Sequence, residues 1–300
     1  MLSIVTPAYN ESANLPALHR LLDAALAGVE WEWIVVDDHS SDSTFASIAA
    51  LAREDPRVHG YRLARNCGSH TAIACGLDFA RGDAAAVMAA DLQEPPLAIA
   101  ELISRWREGA QVVWAAREHA PKTSRLYYYL MRRGAGIEAM PPTGTGLFLI
   151  DRAVIEAFRE FREQHNSIHA LIAWMGFRQA TVTVRQESRR HGRSGWTLRK
   201  KIALLVDSVT AFNYTPIRLM TYLGFITALL GFLYAGFVTV YAIRGKPLAG
   251  WASLMVVVLV IGGIQMLMMG VLGEYLWRAL NESRRRPRYL IEESTAPPSP

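Results

Sequence analysis

The stretch Ala84–Pro96 reads AAAVMAADLQEPP. Its apolar run, Ala84 to Ala90, stops abruptly on Asp91, Leu92, Gln93 and Glu94, and two prolines then precede a helical pattern from Leu97 to Glu108. An apolar run bounded by breakers in this way is expected as a fully buried strand of a parallel sheet. Ligands of open α/β sheets bind at the C-terminal ends of the strands. This strand would therefore deliver a carboxylate and an amide to the binding edge. Side chains two apart on an extended chain point the same way, so Asp91 and Gln93 would both offer oxygen to one hard divalent cation. The D-x-Q pattern is weak by itself, and an ordinary polar loop fits it as well.

The flanking sequence repeats the arrangement. Leu2–Thr6, Trp33–Val36, Val58–Leu63 and Gln111–Ala115 read as further strands, each separated from the next by a helical pattern. Asn14 is a candidate cap for the first helix, and Ser40, Ser41 and Asp42 open the second. Such alternation predicts a doubly wound α/β domain. The strand ends carry Asn10 and Glu11, Asp37 and Asp38, Arg65, Asp91 and Arg117 in series. Polar groups at so many strand ends point to a site built across one edge of the sheet. The glycine fingerprint of dinucleotide-binding folds and the P-loop lysine are both missing. A nucleotide site here would rest on carboxylates and a metal.

The chain has 300 residues, with Lys+Arg 32 against Asp+Glu 27, and its hydrophobic fraction of 51% averages two unlike parts. Residues 1–215 have a globular composition, whereas Leu219–Ile243 and Trp251–Gly273 contain no charged side chain and are each long enough to span a bilayer. The short loop between them makes a hairpin. Arg199, Lys200, Lys201 and Arg218 precede it, and Arg278, Arg284, Arg285, Arg286 and Arg288 follow it, while the loop holds only Arg244 and Lys246. The positive-inside rule then puts both termini and the first domain in the cytoplasm, in an inner or plasma membrane protein. Basic charge beside apolar spans favours lipid headgroups or a phosphate substrate over nucleic acid. The two cysteines, Cys67 and Cys75, make no disulfide framework and fit a reducing compartment. No signal peptide is expected, because Met1–Pro7 reads directly as a strand.

Four segments between these parts carry weaker signals. Tyr127–Arg133 is aromatic and basic, and fits a packed amphipathic helix or a headgroup-facing surface. Asp151 opens a helix to Phe161 and is a candidate cap. Gln186–Trp196 is a glycine-containing basic loop, either a solvated surface or a phosphate clamp. Leu198–Phe212 is amphipathic and fits an interfacial helix. The final APPSP is expected to be disordered.

TPAYNE after the first strand, VDDHSSDST after the second, RNCGSHTAIACGLDFARGD followed by DLQEPP, the R-x-x-G-x-S element, the hairpin, and GEYLWR with its trailing RP-x-Y occur in one order along nearly the whole chain. In that order they resemble family 2 glycosyltransferases of the GT-A fold, in the polyprenyl-phosphate branch related to dolichyl-phosphate mannose synthases. The resemblance implies a GT-A mixed-sheet domain over 1–197, a juxtamembrane amphipathic helix over 198–216, a two-helix hairpin over 217–277 and a basic tail over 278–300. It implies transfer of one sugar, with inversion, from a UDP- or GDP-linked donor to a polyprenyl phosphate, assisted by Mg²⁺ or Mn²⁺. Carried over by position, Pro7, Tyr9, Glu11, Asp37, Asp38 and Arg65 would bind the nucleotide-sugar. Asp91 and Gln93 would hold the metal, Arg189 and Ser194 would bind the acceptor phosphate, and Asp91, Arg117 and Arg189 would act in catalysis.

The chain departs from the family pattern at two positions. Many relatives are acidic two residues before Asp91, where this chain has Ala89, and many are acidic where it has Leu147. The second position is a proposed catalytic base in relatives. Two alternatives therefore stand beside the single-sugar transferase. A processive polysaccharide synthase would want more spans and Q-x-x-R-W, where Gln186–Arg190 gives Q-x-x-R-R. A non-catalytic membrane scaffold would bind nucleotide-sugar without turnover. The spans also leave room for a homo-oligomer.

Overall fold

The computed structural model describes residues 1–118, 146–161, 167–185, 215–244, 250–284 and 286–295. It divides into two compact units, Met1–Val209 with Pro287–Pro300, and Thr210–Arg286.

The first unit is a mixed sheet flanked by helices. Its strands are β1 (Leu2–Ala8), β2 (Trp31–Asp37), β3 (Val58–Leu63), β4 (Ala84–Val87), β5 (Val112–Arg117), β6 (Leu147–Asp151), β7 (Gln179–Val184) and β8 (Ile291–Ser294). They lie in the order β7-β5-β6-β4-β1-β2-β3-β8. β1 pairs in parallel with both β2 and β4, β2 with β3, and β5 with β7, while β6 and β8 run antiparallel to their neighbours. The helices are α1 (Leu15–Ala25), α2 (Thr44–Glu54), α3 (Ser69–Phe79), α4 (Ala98–Arg107), α5 (Arg152–Glu160) and α6 (Ile168–Trp174).

Burial explains the strand sequences. Every residue of β2 is buried, the pattern of a parallel strand covered on both faces. Glu32, the acid near its start, accepts from Ser3 Oγ at 2.6 Å and Arg81 N at 2.7 Å, so its carboxylate is not left unpaired. Gly76 lets α3 lie directly on the sheet, since a Cβ there would run into the Val5 side chain.

Several expectations are revised. β4 ends at Val87, and Met88, Ala89 and Ala90 continue as non-strand chain. Met88 and Ala90 are buried like a strand, so composition could not distinguish them. Asn14 does not cap α1; its Nδ2 donates to Glu11 Oε2 at 2.5 Å instead. Asp151 does cap its helix, accepting from Ala153 N at 2.9 Å, and it also accepts from Trp106 Nε1 at 2.7 Å. The tail contains a strand that the sequence reading did not assign: β8 closes the β3 edge, with Thr295 N donating to Gly60 O at 2.9 Å and Ala64 N to Leu290 O at 2.8 Å.

The second unit contains α7 (Thr215–Ile243) and α8 (Trp251–Ser283), which touch. Gly224 brings α7 close to Met268 of α8. Ile217–Tyr241 and Val256–Asn281 are long and apolar enough to cross a membrane. α8 runs past the expected end of its span at Gly273, because no breaker follows until Pro287. The segment Tyr127–Arg133, the loop Gln186–Trp196 and the helix expected over 198–212 lie outside the described residues.

Candidate active site

β1 is where the strand order reverses direction, with β2 and β3 on one side and β4 on the other. This is the switch point at which open α/β sheets bind ligands. The backbone marks the same place. Among the described residues, three non-glycine residues have positive φ: Asn10 (56°), His39 (58°) and Leu92 (58°). They follow the C-terminal ends of β1, β2 and β4. Such conformations cost free energy and persist where surrounding contacts hold them, as they do at binding sites.

Those contacts knit two of the turns together. Asn10 N donates to Ser40 Oγ at 2.9 Å, Glu11 N to Thr44 Oγ1 at 2.9 Å, and Ser41 N to Asn10 Oδ1 at 2.9 Å. Asp37 is fully buried, and one of its oxygens accepts from both the backbone N and the Oγ of Ser40. Its other oxygen lies 3.9 Å from Arg62 Nη1. Asp37 thus shapes the turn from beneath.

Asp38 is 4% exposed, and its two oxygens accept from Cys67 N at 2.7 Å and Gly68 N at 2.8 Å. These bonds fix the loop into α3, where Gly68 has φ 88°. Burial pushes the Asp38 carboxyl above the ordinary carboxylate range, partly offset by the two amide N–H groups. The sequence shows an acidic pair here, but not that each member supports a different turn.

The residues assigned from sequence are placed unevenly. Pro7 sits on β1 opposite Val36, Tyr9 is 49% exposed at the rim, Glu11 follows on the same turn, and Arg65 is exposed on the loop after β3. Asp91 is 6% exposed and lies in a turn. Gln93 N donates to Asp91 Oδ1 at 3.2 Å. With Leu92 left-handed between them, residues 91–93 are not extended, so the alternation that put Asp91 and Gln93 on one face does not apply. Arg117 ends β5, but its side chain lies outside the described residues, as do Arg189 and Ser194 altogether.

The structure adds Glu94, a buried carboxylate against Gly146, where a Cβ would collide with it. It also adds His70 in the first turn of α3. The His70 ring meets His169 edge-on at 5.5 Å, and burial pushes its pKa down to about 4. It is therefore neutral near pH 7. The sequence carried only a mild signal for Glu94, its place between Gln93 and Pro95.

Carboxylates that follow several strands thus stand at the switch point of a mixed sheet. The chain belongs to glycosyl transferase family 2, whose model matches residues 3–184, and a GtrB C-terminal hairpin model matches residues 215–278. It is 31% identical to a bactoprenol glucosyl transferase of Shigella phage SfV, over 97% of this chain and 98% of the relative. It is 35% identical to an undecaprenyl-phosphate 4-deoxy-4-formamido-L-arabinose transferase of Pseudomonas paraeruginosa, over 97% of this chain and 89% of the relative. A solved structure, glucosyl-3-phosphoglycerate synthase from Mycobacterium tuberculosis with Mn²⁺, UDP-glucose and phosphoglyceric acid, shares the fold. Its TM-score is 0.53 and its identity 19%, covering 69% of this chain and 79% of that one.

Proposed function

We propose that the protein transfers one sugar from a nucleotide-sugar to a polyprenyl phosphate at the cytoplasmic face of a membrane, with inversion. The observation that carries this is the set of strained turns at the ends of β1, β2 and β4, with Asp37, Asp38 and Asp91 beside them. Relatives named for bactoprenol and undecaprenyl-phosphate acceptors support the acceptor class. The apolar hairpin supports a lipid acceptor, and the arginines and lysines outside it support a cytoplasmic catalytic unit.

The donor set suits a hard cation shared with substrate. Asp91 supplies a carboxylate and Gln93 an amide oxygen, and no group of three or more His, Cys, Asp or Glu forms a metal cage among the described residues. A cation that takes most of its oxygens from a diphosphate and water needs only such a partial protein contribution. Asp91, with Gln93 beside it, would hold Mg²⁺ or Mn²⁺, which supplies charge neutralisation on the leaving nucleoside diphosphate. The turns held by Asp37 and Asp38 would seat the base and ribose between Tyr9 and the loop at Cys67. A phosphate oxygen of the lipid would attack the anomeric carbon as the bond to the diphosphate breaks. Arg117, Arg189 and Ser194 are proposed to bring the two anions together.

The test mixes detergent-solubilised protein with polyprenyl phosphate, divalent metal and a panel of UDP-, GDP- and dTDP-sugars, following glycolipid and released nucleoside diphosphate. A glycolipid lost on chelation and in Asp91→Asn is the expected result. Nucleotide binding without glycolipid from any donor would overturn the reading.

A further inference from the structure

The strand that follows the membrane hairpin reaches the donor side of the sheet. Between β3 and β8 the register steps from Arg62 opposite Glu293 to Leu63 opposite Ile291. Glu292 is therefore the extra residue of a bulge, a device that re-aims a side chain. Its Oε2 lies 3.1 Å from Arg62 Nε and 3.4 Å from His39 Nδ1. Arg62 is the cross-strand neighbour of Asp37, with Nη1 3.9 Å from Asp37 Oδ2 and Nη2 donating to Ser40 O at 3.3 Å. His39 holds its left-handed conformation between Asp38 and Ser40, and its Nδ1 also lies 3.1 Å from Leu63 O. One carboxylate from the C-terminal segment thus touches both the guanidinium and the imidazole that brace the Asp37–Ser40 turn.

We propose that Glu292 is a positioning residue for the donor nucleotide, acting through Arg62 and His39 on the Asp37–Ser40 turn. The proposal rests on the reading that this edge binds the donor. Glu292 shares the guanidinium with Asp37. Without it, Arg62 closes on the buried Asp37 carboxylate, where attraction is stronger than in water. His39 at the same time loses a contact that opposes its strained backbone. Both changes distort the turn without touching the reacting atoms. The effect falls on donor binding and not on the chemical step.

The experiment uses the full chain in detergent. It measures the Kd of UDP, GDP and dTDP by calorimetry with Mg²⁺, together with donor KM and kcat. Glu292→Gln is expected to weaken the nucleotide that wild type binds best by roughly three- to fivefold, modest because the pair is partly exposed. Donor KM rises in step, kcat stays within about twofold, and the apparent Tm holds. Glu293→Gln, on the same strand and exposed, leaves all four quantities unchanged. In an Arg62→Ala background the further effect of Glu292→Gln shrinks to what the His39 contact carries. The proposal is overturned if Glu292→Gln binds nucleotide like wild type, if Glu293→Gln weakens binding equally, or if the effect persists undiminished without Arg62. Nucleotide binding by wild type without transfer to polyprenyl phosphate defeats the acceptor reading and leaves this test standing. Binding of none of the three nucleotides defeats both.

Discussion

Replacing Asp38 with Asn keeps the shape of the side chain and removes one of its two acceptors. The remaining oxygen can accept from Cys67 N or Gly68 N, now 2.7 and 2.8 Å from the carboxylate, while the new amide nitrogen faces the other N–H. Hydrogen bonds to a charged group are worth about 1.5–3 kcal/mol, and a buried donor left unmet costs about 1–3 kcal/mol. Relief of a buried charge offsets part of this, so a net loss of about 2 kcal/mol is expected. For a unit of this size that lowers the apparent Tm by roughly 4–8 °C. The pH dependence has a defined sign. Folded Asp38 holds its proton more tightly than unfolded Asp38, because burial raises its pKa. Its contribution to stability is therefore greatest below the ordinary carboxylate pKa of about 4 and declines as pH rises through the raised value. Asn does not titrate, so the gap between wild type and variant narrows as the pH rises from about 4. Tryptophan-fluorescence melts of both proteins across pH would measure this. A variant melting within a degree of wild type, or a gap that widens with pH, would refute the assignment of Asp38 as the clamp on the loop into α3.

Asp55 carries the opposite sign: Arg57 pairs with it at 2.9 and 2.7 Å and holds its carboxyl well below the usual range, with His19 adding a contact at 2.9 Å. Asp55→Asn should cost about 1–2 kcal/mol above pH 5, with water at the half-exposed Arg57 screening the pair, and the gap should begin to narrow as pH falls below about 4 and close only through the depressed value; equilibrium denaturation at pH 7 and pH 3 should show a smaller gap at pH 3. Gly76→Ala, favourable in an isolated helix, should destabilise by about 1–3 kcal/mol because the new methyl meets Val5; a higher Tm would contradict the packing. Leu147→Asp should lower stability, and its transfer rate per folded molecule should not exceed that of wild type, measured by melting and initial rates, because Leu147 is 0% exposed in the apolar core.

Where burial and periodicity act together, the sequence was informative. WEWIVVD and VHGYRL could hardly be anything but strands, and Asp37 and Asp38 at the end of the first and Arg65 after the second had to emerge at the sheet's edge. The misses have physical causes. Burial continues past Val87, where Met88 N still donates to Val5 O at 3.0 Å although the strand has ended, so composition overextended β4 and aligned Asp91 and Gln93 on a chain that in fact turns. β8 reads IEES and is exposed throughout. An edge strand held by backbone pairing has no apolar face to announce it. Asp37 and Asp38 were legible as acids at the sheet's edge, but their work under the turns depends on partners nearly thirty residues away or hidden in the ladder, such as Cys67 and Arg62.

The burial of Leu147 also bears on how the proposed reaction could run. Leu147 and Leu149 both belong to the apolar core, so the core face of β6 offers no group to take a proton. A phosphate nucleophile does not need one there. The second pKa of a phosphate monoester is about 6, so the attacking oxygen is already largely ionised near neutrality. The barrier left to the protein is electrostatic: an anionic acceptor must approach an anionic diphosphate, and the leaving charge must be met. In the proposed reaction Asp91 would answer the second demand by holding a cation, and Arg117 and Arg189 would answer the first. On this argument the rate should fall more steeply when an arginine is neutralised than when any carboxylate away from Asp91 is changed to its amide. A conventional base-catalysed transferase would show the reverse order.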